Sequence, residues 1–415
     1  MRIGILTFHR SLNYGAVIQC YSLQQQISKE YPDDVVEVID YSVKRVQKKY
    51  SYKAFTYIFS SLPEIKRAGI KTVIKITAKN ALTICNNKGF LKKRKQMRKA
   101  FDSVLDKMVL SKESFQSDNC LRATKWLQGK YDVIIVGSDC VWEINNYPFP
   151  NIYFLHDIHG TKKLSYAACA QGVLFESLDE KQRNYMREAW SDFAYISVRD
   201  AATEALLHKI DEHLVVHQNC DPTVFLRIEE LPIDLTLLRA KFVSAGVDFQ
   251  KPTICLMANP QIGKLCRDAF GDEYQIVAIY EQNPYADYFV FDLNPFEWAR
   301  CFSLFSITIT NRFHGTLLSM KNGTPVITFD CSTSDDYSFN GLTKIRYLYD
   351  QIGLTSEQYR VLKKDFNEYD ISDLRITANK IQNSDYIKQM STKLHEQRAN
   401  YAIFSSMLRK IIDDK

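Results

Sequence analysis

No stretch of eighteen apolar residues occurs in this chain of 415 residues, so a membrane-spanning helix is not expected. The opening run from Met1 to Phe8 enters a β pattern at once. It has no basic leader, long apolar segment or small-residue cleavage site, so export is not expected either. Paired cysteines are missing: the ten cysteines include no C-x-x-C pair and no metal-ligand spacing. Most of them, Cys20, Cys169, Cys255 and Cys301 among them, lie in apolar surroundings, which reads as reduced packing thiols in a cytoplasm and no metal site. Short-period repeats and low-complexity segments are also absent, which excludes a repeat architecture. One further scarcity is local. Between Ser42 and Ala100 there is a single acid, Glu64, against 17 Lys and Arg, while the remaining 37 basic and 47 acidic residues leave the rest of the chain acidic.

What is present points to an α/β protein. The length exceeds one ordinary core, and 46% hydrophobic residues supply ample material to bury, so two domains are expected. Arg2 to Phe8 reads as a buried strand and Ala16 to Glu30 as a helix. Val35 to Tyr41 follows as a second strand, completing the β-loop-α-β unit of parallel sheets. Asn13 and Gly15 in the first loop stand where a backbone approaches a ligand or where the chain merely turns. Tyr131 to Val136 is the plainest parallel-sheet strand, and it ends in Gly137-Ser138-Asp139, where such strands meet ligands. Asp139 is therefore a site candidate, or a helix cap. Trp142 either packs or stacks on a sugar ring. Strands at 162–169 and 194–198 follow, the latter ending at Arg199. Asp221 to Leu226 reads as a turn and apolar anchor closing the first domain, and 231–249 as a linker. The β-α-β grammar then resumes from Thr253, with a last strand at 324–329, and 371–412 is mostly helical. The expected domains are 1–230, carrying a basic helical insertion at about 42–120, then 250–345, then a helical segment at 346–415 that packs back on the others.

The strand Ser306 to Thr310 ends in Asn311-Arg312-Phe313-His314-Gly315 at the start of a helix. A helix N-terminus attracts anions, and the strand end is where open α/β sheets bind ligands. Arg199 and Arg312 at one site suit a substrate with more than one anionic group, because each guanidinium can grip a carboxylate or phosphate with two bonds. His314 in the same mouth is a proton carrier for neutral pH. The residues alone reach this far: an anion-handling acid–base cleft between two α/β domains.

The ordered set Asn13-Tyr14-Gly15-Ala16-Val17-Ile18-Gln19, Gly137-Ser138-Asp139-Cys140-Val141-Trp142, Leu164-Ser165-Tyr166-Ala167-Ala168, Ile196-Ser197-Val198-Arg199-Asp200, Asp221-Pro222-Thr223 and Arg312-Phe313-His314-Gly315 resembles the polysaccharide pyruvyl transferase family over roughly 1–330. Cys140 departs from it, standing where glutamine is expected. The resemblance implies two Rossmann-like domains facing across a cleft, as in GT-B glycosyltransferases, and transfer of pyruvate from phosphoenolpyruvate to two sugar hydroxyls as a cyclic ketal, in bacterial capsular or cell-surface polysaccharide biosynthesis. It implies that Arg199, Arg312 and His314 hold phosphoenolpyruvate, with His314 the acid–base group. Asp139 is the candidate for orienting or deprotonating the acceptor, and Asn13, Tyr14, Gly15 and Trp142 are acceptor-side candidates. No cofactor and no metal are required.

Two other readings stay open. One is a GT-B glycosyltransferase using a nucleotide sugar; the other is a non-catalytic membrane-associated binding module. The basic insertion, with aromatics interleaved and the run Lys92 to Lys99 at its peak, reads either as a solvated helical cover or as a surface that docks on an anionic membrane through residues 44–99. The second option suits a glycan acceptor linked to a polyprenyl diphosphate and a protein seated on the inner face of the cytoplasmic membrane. Nucleic acid is not an expected partner.

Overall fold

The computed structural model describes residues 1–62, 65, 69–86, 89–145, 147–271, 273–330, 343–354, 359–361 and 371–413. Glu64, part of the basic insertion and residues 331–342 of the expected second domain lie outside the described residues.

The first domain begins with β1 (Arg2–Leu6), α1 (Tyr14–Glu30) and β2 (Val35–Val38). The chain then leaves the sheet. β3 (Tyr41–Ser42), α2 (Lys44–Lys49), α3 (Ala54–Ile58), α4 (Ile70–Asn86), α5 (Phe90–Leu105) and β4 (Phe115–Gln116) form the insertion, closed by a parallel β3–β4 pair. After α6 (Cys120–Leu127) come β5 (Val133–Asp139), β6 (Lys162–Ala168), α7 (Glu180–Ser191), β7 (Ile196–Val198), α8 (Ala201–Ile210) and β8 (Val216–Gln218). The sheet order is β2-β1-β5-β6-β7-β8, parallel throughout. Ile3 lies opposite both Val36 and Val133. Ile3, Ile5, Val133 and Ile135 are wholly buried, as strands covered on both faces require.

A second sheet repeats the plan. It is built from β9 (Thr253–Met257), β10 (Gln275–Ala278), β11 (Tyr288–Phe289), β12 (Ile307–Thr310), β13 (Val326–Asp330) and β14 (Tyr359–Val361). The order is β11-β10-β9-β12-β13-β14, again all parallel. Each sheet reverses its strand order beside its first strand, at β1/β5 and at β9/β12, and at such a switch the loops beyond the strand ends part to leave a crevice. Two expectations need correction. The stretch expected to be a linker contains a helix, Leu235–Ser244, which buries Leu238 and Phe242 against the second domain's core; its mixed periodicity hid two apolar anchors. The strand at Val326–Asp330 is not the last, because β14 pairs beyond it.

The two halves touch directly. Tyr14, 1% exposed, stacks on Trp298 with ring centroids 5.0 Å apart and donates its hydroxyl to the Leu293 carbonyl at 3.1 Å. Phe101 of α5 also packs on Tyr14, tilted, with ring centroids 4.7 Å apart. The C-terminal helices span both domains. Met390 and Leu394 of the helix Ser384–Glu396 are buried, and that helix packs on the second domain. In the helix Tyr401–Asp413, Phe404 lies 4.8 Å from the Tyr166 ring, and Tyr401 donates to Glu30 at 2.6 Å. No helix among the described residues is long and apolar enough to cross a membrane.

Candidate active site

Loops beyond β1, β5, β7 and β12 meet between the sheets. A close approach is made between Gly15, in the first turn of α1, and His314, in the first turn of the helix Phe313–Lys321. A β-carbon on Gly15 would stand 2.1 Å from His314 Nδ1. Only a hydrogen leaves room for the imidazole, so Gly15 makes way for a side chain from the other domain.

His314 faces Asp221, its Nε2 lying 3.5 Å from Asp221 Oδ2. Asp221 sits in a 3₁₀ turn after β8, where its Oδ1 accepts the Thr223 N–H at 2.9 Å. The same Oδ2 accepts a 2.7 Å hydrogen bond from Arg199 Nη1. Burial pushes the Asp221 carboxyl up, but His314 and Arg199 outweigh it and hold the group well below the usual carboxylate range. Arg199, 3% exposed, follows β7 and extends its other nitrogen to within 3.6 Å of Asp139 Oδ1. Its guanidinium also lies 5.0 Å from the centroid of the Phe313 ring, so one arginine spans both domains. Asp139 has a φ of 77°, a left-handed value that costs a non-glycine residue about 1–3 kcal/mol and is kept where the surroundings over-determine it. Its carboxylate accepts the Cys140 N–H at 2.9 Å. Burial again pushes this group up, and Arg199, Lys344 and His314 together bring it below its ordinary value.

Lys344, in the first turn of the helix Lys344–Ile352, donates to Gln171 Oε1 of the first domain at 2.9 Å. Its ammonium lies 5.8 Å from the Phe313 ring. Cys140 Sγ is 3.2 Å from Gln171 Oε1 and 3.8 Å from Cys169 Sγ. Cys169 is buried as expected, yet it belongs to the wall of this cleft.

The structure thus gathers Asp139, Arg199, His314 and Gly15. It adds Asp221, read from sequence as a turn, and Lys344, for which the sequence carried no signal. Arg312 does not share their partners. Its side chain is 45% exposed, its Nη2 donates to Glu281 at 3.1 Å, and its guanidinium lies over the Tyr280 ring at 5.2 Å. Asn13 caps α1, accepting from Gly15 N at 3.0 Å and Ala16 N at 3.4 Å. Tyr14 and Trp142 cannot meet an acceptor as placed. Tyr14 is consumed by the domain contact, and Trp142 is fully buried against Trp190 with its indole N–H donated to the Tyr153 carbonyl at 3.2 Å. In both cases a large aromatic near a strand end was claimed by the core. No cluster of metal-binding side chains occurs among the described residues.

The two depressed carboxylates have a consequence for stability. A group whose folded pKa lies below its unfolded value contributes stability above the ordinary carboxylate range and loses it as pH falls through the folded value. Asp221→Asn is expected to be less stable than the wild type at neutral pH and to lose less stability on acidification from about pH 5 to pH 2. Urea midpoints across that interval check this; parallel acid limbs would show that Asp221 is not held as an anion.

The architecture matches solved enzymes. A UDP-GlcNAc 2-epimerase from Methanocaldococcus jannaschii superposes with a TM-score of 0.51 at 10% identity, covering 96% of this chain and 99% of that one. One from Neisseria meningitidis gives 0.53 at 9%, covering 99% and 100%. At such identities the likeness establishes the fold, a GT-B-like arrangement of two Rossmann-like domains. No curated protein matches the sequence significantly. The family model for polysaccharide pyruvyl transferases matches residues 13–333, which include Gly15, Asp139, Arg199, Asp221 and His314 of the cleft. The chain belongs to the polysaccharide pyruvyl transferase family.

Proposed function

We propose that the protein transfers pyruvate from phosphoenolpyruvate to two hydroxyls of a sugar as a cyclic ketal, in the making of a bacterial cell-surface polysaccharide. The observation that carries this reading is the buried line Asp139–Arg199–Asp221–His314, which joins a fixed cation, a proton carrier and two held anions across the cleft. In this reaction His314 delivers a proton to the methylene carbon of phosphoenolpyruvate, making C2 electrophilic. One sugar hydroxyl adds to C2, the bond from C2 to the phosphate oxygen breaks, and the second hydroxyl closes the ring. Of the two hydroxyl protons released, one replaces that consumed at the methylene and the other leaves on phosphate, so no redox step arises. Asp221 stabilises the imidazolium beside it, and Asp139 takes a hydroxyl proton or orients the diol. Arg199 and Lys344 form the inner anion grip, and Arg312 joins from the rim by exchanging Glu281 for the donor. A nucleotide-sugar donor would call for base and ribose contacts that this cluster does not offer. The test is incubation with phosphoenolpyruvate and a panel of sugar acceptors. A product heavier by one pyruvate less one water, with one phosphate released, is expected; phosphate release without such a product counts against ketal formation.

The membrane surface in this proposal shifts from the Lys92 to Lys99 run to α4. That helix buries Val73 and turns Ile70 (61% exposed), Ile74 (61%) and Leu82 (59%) outward, beside the exposed Lys71, Lys75 and Lys79. An outward apolar stripe flanked by lysines is the pattern of an interfacial helix. Reversing these three lysines to glutamate is expected to weaken binding to phosphatidylglycerol vesicles about a hundredfold or more, at roughly 1 kcal/mol per lysine. Unchanged sedimentation would remove α4 from that role.

A further inference from the structure

The insertion helix α5 carries two kinds of cation. Lys92, Lys95 and Lys99 are exposed, whereas Arg94 and Arg98, one turn apart, lie partly buried on the side that also carries Phe101 and Leu105. Among the described residues neither guanidinium has a carboxylate within ion-pair distance. Neutral groups hold them instead, and the Arg94 guanidinium lies 4.7 Å from the Tyr57 ring centroid and 5.3 Å from that of Phe90. Arg94 Nη2 donates to the Lys49 carbonyl at 2.5 Å, while Arg98 donates to the Arg10 carbonyl at 3.2 Å and to Gln47 Oε1 at 3.3 Å. Arg94 Nε is buried without an acceptor. Arg10, close by, is already neutralised by Asp40 through bonds of 2.5 and 2.6 Å. Two desolvated cations side by side are costly unless an anion joins them.

Their position is the mouth of the cleft. Phe101, on the same helix, packs on Tyr14, the residue before Gly15, and the Lys93 ammonium lies 5.0 Å from the Phe291 ring of the second domain. Tyr50, at the end of α2, is within electrostatic reach of Arg94 and Arg98 and also of Asp139 and Tyr280. α5 also packs against α4, whose Ile70, Ile74 and Leu82 are exposed.

We propose that Arg94 and Arg98 form a second anion site, separate from the donor site, which binds the diphosphate of a lipid-linked glycosyl acceptor. The inference rests on the pyruvyl-transfer reading for its acceptor. Two guanidinium forks on successive turns match a diphosphate, which offers an oxygen-rich group to each. The sugar attached to it then reaches toward Asp139 while its lipid runs out along α4. A nucleotide-linked sugar presents the same diphosphate without the lipid.

The test is calorimetric titration of the full chain, saturated with phosphoenolpyruvate, using inorganic pyrophosphate, farnesyl diphosphate and uridine diphosphate as probes. Pyrophosphate is expected to bind alongside phosphoenolpyruvate, and Arg94→Gln/Arg98→Gln to weaken it roughly tenfold or more while phosphoenolpyruvate affinity stays the same. Should the glutamine pair fail to fold, Arg94→Lys/Arg98→Lys keeps the charge and the packing and still loses the forked contacts. Farnesyl diphosphate binding more tightly than uridine diphosphate supports the lipid-linked source, and the reverse order overturns it. Pyrophosphate that displaces phosphoenolpyruvate, or that binds the variant as well as the wild type, overturns the second site. Failure of phosphoenolpyruvate to bind, with pyrophosphate binding still dependent on the two arginines, would refute the donor assignment and leave the anion site standing.

Discussion

Replacing Arg199 with methionine is expected to abolish phosphoenolpyruvate binding and to cost about 3–5 kcal/mol of stability, because a buried pair that loses one partner leaves an uncompensated charge. The residue lies between Asp221, at 2.7 Å, and Asp139, at 3.6 Å, and both carboxylates are nearly inaccessible to water. Without the cation their pKa values rise, so the variant is expected to recover stability in acid, where protonation removes the buried charges. Loss of folding and loss of chemistry must be told apart. The double variant Arg199→Met/Asp221→Asn removes one orphaned charge and is expected to regain part of the stability, measured by urea unfolding, while remaining unable to bind the donor. Turnover in either variant is expected to fall about 10²–10³-fold or more, the scale for losing a group that stabilises developing charge. A double variant that binds phosphoenolpyruvate normally would make Arg199 a structural residue only.

Gly15→Ala is expected to disable the protein as thoroughly as removal of His314, although residue 15 contributes no side chain. Position 15 lies in the first turn of α1, and no positive φ restricts it. By helix propensity alone, alanine would stabilise it by up to about 1 kcal/mol. The obstacle is the imidazole, whose Nδ1, Cγ and Cε1 would all lie within 2.6 Å of the new methyl group. The ring must leave Asp221, and with it would go the acid–base contribution proposed for His314, about 10²–10⁴-fold for such a group. In a His314→Ala background the same Gly15→Ala change is expected to cost no further activity and to raise the melting temperature. Additive losses in the double variant would mean that Gly15 acts on something other than the histidine.

These two residues show what a sequence can and cannot disclose here. Local pattern located the strands, since buried parallel strands read as Val/Ile runs, and it placed Asp139, Arg199 and His314 at or just beyond the ends of β5, β7 and β12. Which partner each meets was not legible. Gly15 and His314 are far apart in the chain, and no periodicity records that one makes room for the other. Asp221 was visible as the first residue of an Asp-Pro turn and as part of a family motif, but not as a partner of the site, because its cap to Thr223 uses one oxygen while the other serves Arg199 and His314. Lys344 opens a helix with an ordinary threonine cap, and nothing local marks its contact with Gln171. Trp142 and Tyr14 went the other way. An aromatic beside a strand end looks the same in sequence whether it faces a cleft or a core, and here the core took both. The arginines of α5 were submerged in a lysine run; their inward direction depends on the helix phase set by Phe101 and Leu105.

The central claim is that a small phosphate-bearing carboxylate binds where Arg199, Lys344 and His314 converge. It is tested most directly by thermal unfolding with phosphoenolpyruvate set against a series of nucleotide sugars. A ligand that binds only the folded state stabilises it by about 2.7 kcal/mol at a hundredfold excess over Kd. The expected result is a melting temperature raised by several degrees with phosphoenolpyruvate, unmoved by nucleotide sugars, and insensitive to phosphoenolpyruvate in the Arg199→Met/Asp221→Asn variant. A rise with a nucleotide sugar and none with millimolar phosphoenolpyruvate would contradict it.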